Sequence, residues 1–210
     1  MDSYSLLIAA TLSAGTVLAL ASLGLLINEK AGIVNLGAEG MMLCAALAGF
    51  AAVVHSGNDA IGFIAGIAAG MCLAAVFGVL VIWLNTNQYA TGLALSLFGA
   101  GFSAFAGTGY VQEKIPERAT FAIPWLSDIP VLGPALFHQH PLVYVTVLLG
   151  LGLVVFLYRT RSGLILRSVG ENPQTAHVLG YPVRWIRFAA VLMGGALCGL
   201  AGAYISLVYT

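Results

Sequence analysis

The 210-residue chain carries eight basic and eight acidic side chains, 8% of the sequence, while 60% is hydrophobic. An ordinary soluble domain is about 25% charged, so so few charges exclude a water-covered globular surface. The formal net charge is zero, which leaves no global basic field to attract nucleic acid.

The charges are also clustered. No Asp, Glu, Lys or Arg occurs from Ala60 to Gln112. An ionised group in hydrocarbon costs about 2.5–3.5 kcal/mol even on the mildest scale, so a bilayer demands such a run. About 20 apolar residues cross a bilayer as helix. Six stretches qualify in chain order: 4–27, uncharged throughout; 33–55, interrupted by Glu39; 60–84, the cleanest; 89–109, rich in Gly and Ser; 141–158, short but uncharged; and 188–209. The fold class expected is all-α: a polytopic integral membrane helix bundle of about six spans, forming a single domain over residues 1–210. The stretch from Met1 to Tyr4 lacks the positive n-region of a cleavable signal. The first apolar stretch is too long for one, so it is expected to stay as a span.

Lys and Arg set the orientation. Residues 159–187 hold Arg159, Arg161, Arg167, Arg184 and Arg187 against one acid, Glu171, which places this segment in the cytoplasm. The segment 110–140 lies one span away and is therefore extracytoplasmic, with Lys114 and Arg118 against Glu113, Glu117 and Asp128. Counting back puts 56–59 outside, 28–32 with Lys30 inside, and the N-terminus outside. Five of the seven prolines, Pro116, Pro124, Pro130, Pro134 and Pro141, lie in or at the edge of the outer segment and block regular helix there. Phe121, Trp125 and Leu132 suggest that part of it rests on the membrane surface.

Small residues recur every four positions at Gly62, Gly66, Gly70, Ala74 and Gly78, and again at Gly195, Gly199 and Ala203. Each set makes a stripe along a helix where another backbone approaches closely, either within one subunit or at a dimer seam. Cys44, Cys72 and Cys198 are odd in number and fit no metal spacing, so they read as reduced packing residues. His138 and His140 flank Gln139 as a metal pair on a strand would, but in a Pro-rich segment they read as solvated. No metal and no cofactor is expected.

Two constellations stand out. The first is Ser168-Val-Gly-Glu-Asn-Pro-Gln-Thr-Ala-His-Val-Leu-Gly-Tyr-Pro182. Asn172 is a good N-cap and Pro173 suits the first helical position. Gly180 suits the position just past a helix end, and Pro182 bars continuation. The helix between them, 173–179, is about two turns and roughly 10 Å long, too short to be stable alone. Ala176 and Leu179 share a face that asks for a partner surface, either a groove in a soluble protein or the chain's own bundle. The second constellation runs from Asn28 to Met42. Gly32, Gly37 and Gly40 weaken helix here by up to about 1 kcal/mol each. Asn35 and Glu39 are four apart and on a helix share a face, turned to the bundle interior or water rather than lipid. A broken helix is tolerated where a cavity or protein satisfies its backbone. The segment reads as a pathway or gating element, or as a buried polar clamp. A third feature, residues 85–91, brings Asn85, Asn87 and Gln88, amides suited to hydrogen-bonding a neutral solute or to a short turn between spans.

The chain has no nucleophile elbow, no His-Glu-x-x-His and no Gly-rich phosphate loop ending in Gly-Lys-Ser/Thr. Catalysis is not expected, and energy for pumping must come from a gradient, with Glu39 as a proton site, or from another subunit. At this point the sequence resembles a known family. Ile27-Asn-Glu-Lys-Ala-Gly-Ile-Val-Asn-Leu-Gly-Ala-Glu-Gly-Met-Met-Leu43 looks like the second-span signature of permeases of the nucleoside and simple-sugar type of ABC importers. Branched-chain amino acid permeases are more distant relatives. Residues 163–176, continuing to Gly180, resemble the family's cytoplasmic coupling loop, and Gly194 to Tyr204 resemble the small-residue span after it.

The resemblance implies ABC ATPase subunits as partners, a second permease subunit, homologous or identical, and a substrate-binding lipoprotein or periplasmic protein, all at the bacterial plasma membrane. It places Gly170, Glu171, Asn172, Pro173, Ala176 and Gly180 in the loop that sits in the ATPase groove, and Asn35 and Glu39 in the second-span signature. It leans towards nucleosides over sugars as cargo. Family members continue past the sixth span, whereas this chain stops at Thr210, so a fragment, a shortened reading frame or a degenerate copy is expected.

Overall fold

In the computed structural model, which describes residues 3–113 and 139–209, the regular elements of the described residues are all helical. Helix α1 is Ser3–Lys30, α2 Ala38–Ser56, and α3 Asp59–Gly78, which continues through a π-helical turn, Val79–Trp83. Helix α4 is Gln88–Gly107 and α5 Pro141–Arg159. Two shorter helices follow, α6 Arg161–Glu171 and α7 Pro173–Val178. Helix α8, Val183–Tyr204, ends in a second π-helical turn, Ile205–Tyr209. Among the described residues six helices are long and apolar enough to cross a membrane. The chain is a polytopic helical bundle, as its composition requires.

Side-chain caps mark most helix starts. Asn58 Oδ1 accepts from Ala60 N before α3, and Asn87 Oδ1 accepts from Tyr89 N and Ala90 N before α4. Thr160 Oγ1 accepts from Gly163 N before α6. Asn172 Oδ1 accepts from Thr175 N before α7, where Pro173 occupies the first position. Each cap satisfies donors that a helix start leaves free.

Helix α8 is the hub. Val191, Cys198, Ala201, Ala203 and Tyr204 are buried on it. The stripe of Gly62, Gly66, Gly70, Ala74 and Gly78 on α3 is buried along its length, and it meets Gly195, Gly199 and Ala203 of α8. A methyl group placed on Gly66 would lie 2.6 Å from Ala203 Cβ, and one on Gly199 would lie 3.0 Å from Ile67 Cα. These backbones touch with no room for a side chain, so this seam lies within one subunit. Helix α4 packs on α2 through Leu95 and Gly99, rests Gly92 on Leu36 and Gly37 just before α2, and turns Leu97, Phe98, Phe102 and Phe105 outward. Cys44 and Cys198 are buried and Cys72 is exposed, all three as free thiols.

Several expectations are corrected. The second span does not begin as helix at Ile33: residues 31–37 are non-helical and α2 starts at Ala38. Helix α1 is closed by Gly32 at φ 78°, with Gly32 N donating to Glu29 O and Ile33 N to Asn28 O. That left-handed closure favours glycine and stops the helix. Asn35 and Glu39 therefore do not share a helix face. Asn35 is buried in the link, while Glu39 is exposed in the first turn of α2. The last span starts at Val183 rather than Phe188, which carries Arg184 and Arg187 into the helix. Leu179 is 69% exposed while Ala176 is buried, so the two do not form one packed face. Lys114, Arg118, Glu117, Asp128, Phe121, Trp125, Leu132, His138 and all the outer-segment prolines but Pro141 lie outside the described residues.

Candidate functional site

The ends of α1, α3 and α5, the starts of α2, α4 and α8, and the whole of α6 and α7 alternate onto one side of the bundle. Three stretches meet there: the link 31–37, the turn 84–88, and the α6–α7 elbow.

The link is tied to its neighbours by its own backbone. Val34 N donates to Gln88 Oε1 at 3.1 Å, and Arg187 Nε donates to Ala31 O at 3.0 Å. Asn35 Oδ1 accepts from Gly37 N at 2.9 Å, a local turn that competes with helix. Its Nδ2 faces Met41 Sδ at 3.7 Å. Asn35 is thus consumed in shaping the link. Gly170, at the end of α6, lies directly against it: a methyl there would collide with the Lys30 carbonyl and lie 3.1 Å from Gly32 N.

The elbow is built from consecutive short helices. Helix α6 buries Gly163, Leu166 and Val169, spaced three apart, against the bundle. Arg167 lies over the Tyr158 ring, 4.7 Å from its centre, which binds α6 to α5. Asn172 is the only residue between α6 and α7. Helix α7 closes as α1 does: Gly180 has φ 88°, Gly180 N donates to His177 O, and Tyr181 N donates to Ala176 O. Ala176 is buried, whereas Glu171, Val178 and Leu179 are exposed. The elbow therefore offers a rigid, partly apolar outer surface.

Between these parts lies a cavity of about 830 Å³. The link supplies Gly32 and Ile33, the end of α3 supplies Trp83, the turn supplies Asn85 and Gln88, α7 supplies Gln174 and His177, and α8 supplies Arg184, Trp185 and Arg187. Asn85 has φ 52°, which helps turn the chain into the cavity wall. Of the five path candidates, Asn85 and Gln88 line this cavity; Asn35 is buried in the link, Asn87 caps α4, and Glu39 stands on the outer face of α2. Reading the sequence alone missed Arg187, Trp83 and helix α6. For α6 the signal was present, in apolar residues three apart behind a Thr cap. Among the described residues no group of three or more metal-ligating side chains occurs.

A multi-pass membrane protein with a capped helical elbow on one face is the class this geometry defines. The chain belongs to the family described as the permease component of branched-chain amino acid transport systems, whose model matches residues 7–210. It is similar to a putative glucose ABC transporter permease protein, TsgC13, of Haloferax volcanii, with 45% identity over 97% of this chain and 63% of the relative. It also resembles the guanosine ABC transporter permease protein NupQ of Bacillus subtilis, at 32% identity over 94% of this chain and 66% of the relative. The nucleoside ABC transporter permease protein NupC of Lactococcus lactis is 31% identical over 97% of this chain and 68% of the relative. The chain thus spans about two thirds of the length of these relatives. No solved structure gives a significant match.

Proposed function

We propose that this chain forms the membrane-spanning path of an ATP-binding-cassette importer for a nucleoside or similar neutral polar solute. In this reading a separate ATPase subunit drives it through the α6–α7 elbow, which faces the cytoplasm as its arginines favour. The single domain over residues 1–210 presents segment 110–140 on the outer face. A second permease subunit completes the path, and a binding lipoprotein or periplasmic protein delivers the solute at the plasma membrane.

One observation carries the reading: the elbow and the broken second span are in direct contact. Gly170 presses on the Lys30 carbonyl, and Arg187, at the base of α8, holds Ala31 O. A force applied to the exposed face of α7 reaches the link without crossing a flexible loop. Interiors packed this tightly transmit strain rather than absorb it. The similarity to glucose, guanosine and nucleoside ABC transporter permeases supports the same class of activity.

The test uses the transporter assembled with its ATPase in proteoliposomes. Glu171→Arg or Gly180→Leu should lower uptake at least about tenfold, equivalent to about 1.4 kcal/mol, with solute delivery unchanged. Arg187→Gln should leave the ATPase bound and hydrolysing while uptake falls. Normal uptake in all three variants would refute the coupling route. Uptake that collapses with an uncoupler at constant ATP would instead favour a gradient-driven transporter.

A second reading, a sugar as cargo, is favoured by the 45% identity to a relative named for glucose. Competition of labelled uptake by a panel of nucleosides and hexoses decides between the two.

A further inference from the structure

The 830 Å³ cavity has a charge pattern that its neutral-solute neighbourhood does not explain. Arg184, Arg187 and His177 all line it, and no Asp or Glu among the described residues does. Arg187 is held in place: its Nε is spent on Ala31 O, and its Nη2 lies beside Gly32, 2.9 Å from where a β-carbon there would sit. The remaining guanidinium donors are pre-positioned rather than free to swing out. Arg184 is exposed and makes no hydrogen bond or ion pair among the described residues. Two guanidinium groups in one concavity, with no carboxylate among the described residues that line it, create a strong local positive potential, concentrated by the apolar walls.

Two tryptophans, Trp83 and Trp185, share the lining with these groups. Trp83 ends the third span and Trp185 starts the last one. Their rings meet edge to face at 5.4 Å, and Phe188 packs on Trp83 at 5.0 Å. Tryptophan is the residue that settles at the membrane–water boundary. The cavity therefore joins two guanidinium groups to two indoles.

We propose that this cavity binds a phosphate ester, with the anion on Arg184 and Arg187 and the attached body against Trp83 and Trp185. Guanidinium groups match phosphate oxygens with paired, charge-assisted hydrogen bonds. Basic pockets between spans are where acidic lipid headgroups lodge. The same chemistry fits the phosphate of a soluble nucleotide. The inference does not depend on the transport reading, and its test needs neither ATPase nor cargo.

The full chain is purified in a neutral detergent with Trp125→Phe, so that emission reports only Trp83 and Trp185. It is titrated separately with short-chain phosphatidylglycerol, short-chain phosphatidylcholine, inorganic phosphate and adenosine monophosphate. Saturable binding of at least one anionic probe is expected, with phosphatidylcholine at least about tenfold weaker, and the binding should weaken as salt is raised. Arg184→Gln should weaken it about tenfold, the loss of one charge-assisted contact, while Arg184→Lys stays within about threefold and Arg184→Glu abolishes it. Response to phosphatidylglycerol alone assigns the site to lipid; response to phosphate or adenosine monophosphate assigns it to a soluble ligand. Equal binding of phosphatidylcholine, no saturable response to any anionic probe, or unchanged binding in Arg184→Gln with normal helicity would each overturn the proposal.

Discussion

Helices α8 and α4 are both apolar enough to span a membrane, yet 56% of the α8 span is buried inside the chain and only 11% of the α4 span. The difference is one of small-residue spacing rather than hydropathy. Helix α8 repeats Gly195, Gly199 and Ala203 every four residues and meets the matching stripe of α3 along its length. Helix α4 has Gly92 and Gly99 seven apart and touches the bundle at separated points. In lipid, tails are as apolar as leucine, so helices associate by close packing and not by escape from water. Glycine registers therefore decide which span is the hub and which one lies at the edge.

That contrast is sharpest at its centre. Gly199→Leu would drive a side chain into Gly66 O and Ile67 Cα, backbone atoms that cannot yield. Overpacking of this kind costs about 1–3 kcal/mol or more, and at the hub it should abolish recovery of monodisperse protein in detergent. Near-normal recovery would break the hub assignment. At the edge, Gly99→Val meets Gly40 and should detach α4 while the rest stays folded. Cys44 Sγ sits 3.7 Å from Gly99 O in that seam, so in a Cys72→Ala background Cys44 should become open to maleimide while Cys198 stays protected. Equal labelling of both would show that α4 is no separable edge.

A smaller effect comes from Asn28, which is fully buried beside Gly194 with neither side-chain atom hydrogen-bonded among the described residues. A buried amide without partners costs about 1–3 kcal/mol. Asn28→Val, nearer to asparagine in volume than leucine is, should raise the thermal midpoint by a few degrees; a lower midpoint would show that the amide has a partner. The smallest effect is expected outermost: Leu97→Ala on α4, 76% exposed, should change stability by no more than about 0.5 kcal/mol.

Much of this architecture is legible in the residue order. The spans follow from charge-free runs, and the short helix α7 follows from Asn172, Pro173 and Gly180, because caps and breakers act locally. Helix α6 was hidden by its arginines, which make Leu166 and Val169 look like parts of a polar loop although the apolar spacing is helical. The link around Asn35 departs from its helical spacing for a related reason. The i, i+4 spacing with Glu39 is compatible with helix, but a local Asn35–Gly37 turn and the left-handed Gly32 overrode it. Of the cavity only Asn85 and Gln88 stand out in the residue order, as polar groups between two spans. Ile33, Gln88 and Arg187 are far apart in sequence, and only the return of successive spans to the same side brings them together.

The elbow's construction has a mechanical consequence. Thr160 closes one helix and opens the next, and Asn172 does the same twelve residues later. With a single capping residue at each joint, the stretch is built as a strut rather than a tether. A tether of equal length would dissipate a push in thermal wandering; a strut delivers displacement at one end as displacement at the other, so its length, not its flexibility, sets how far the far end travels.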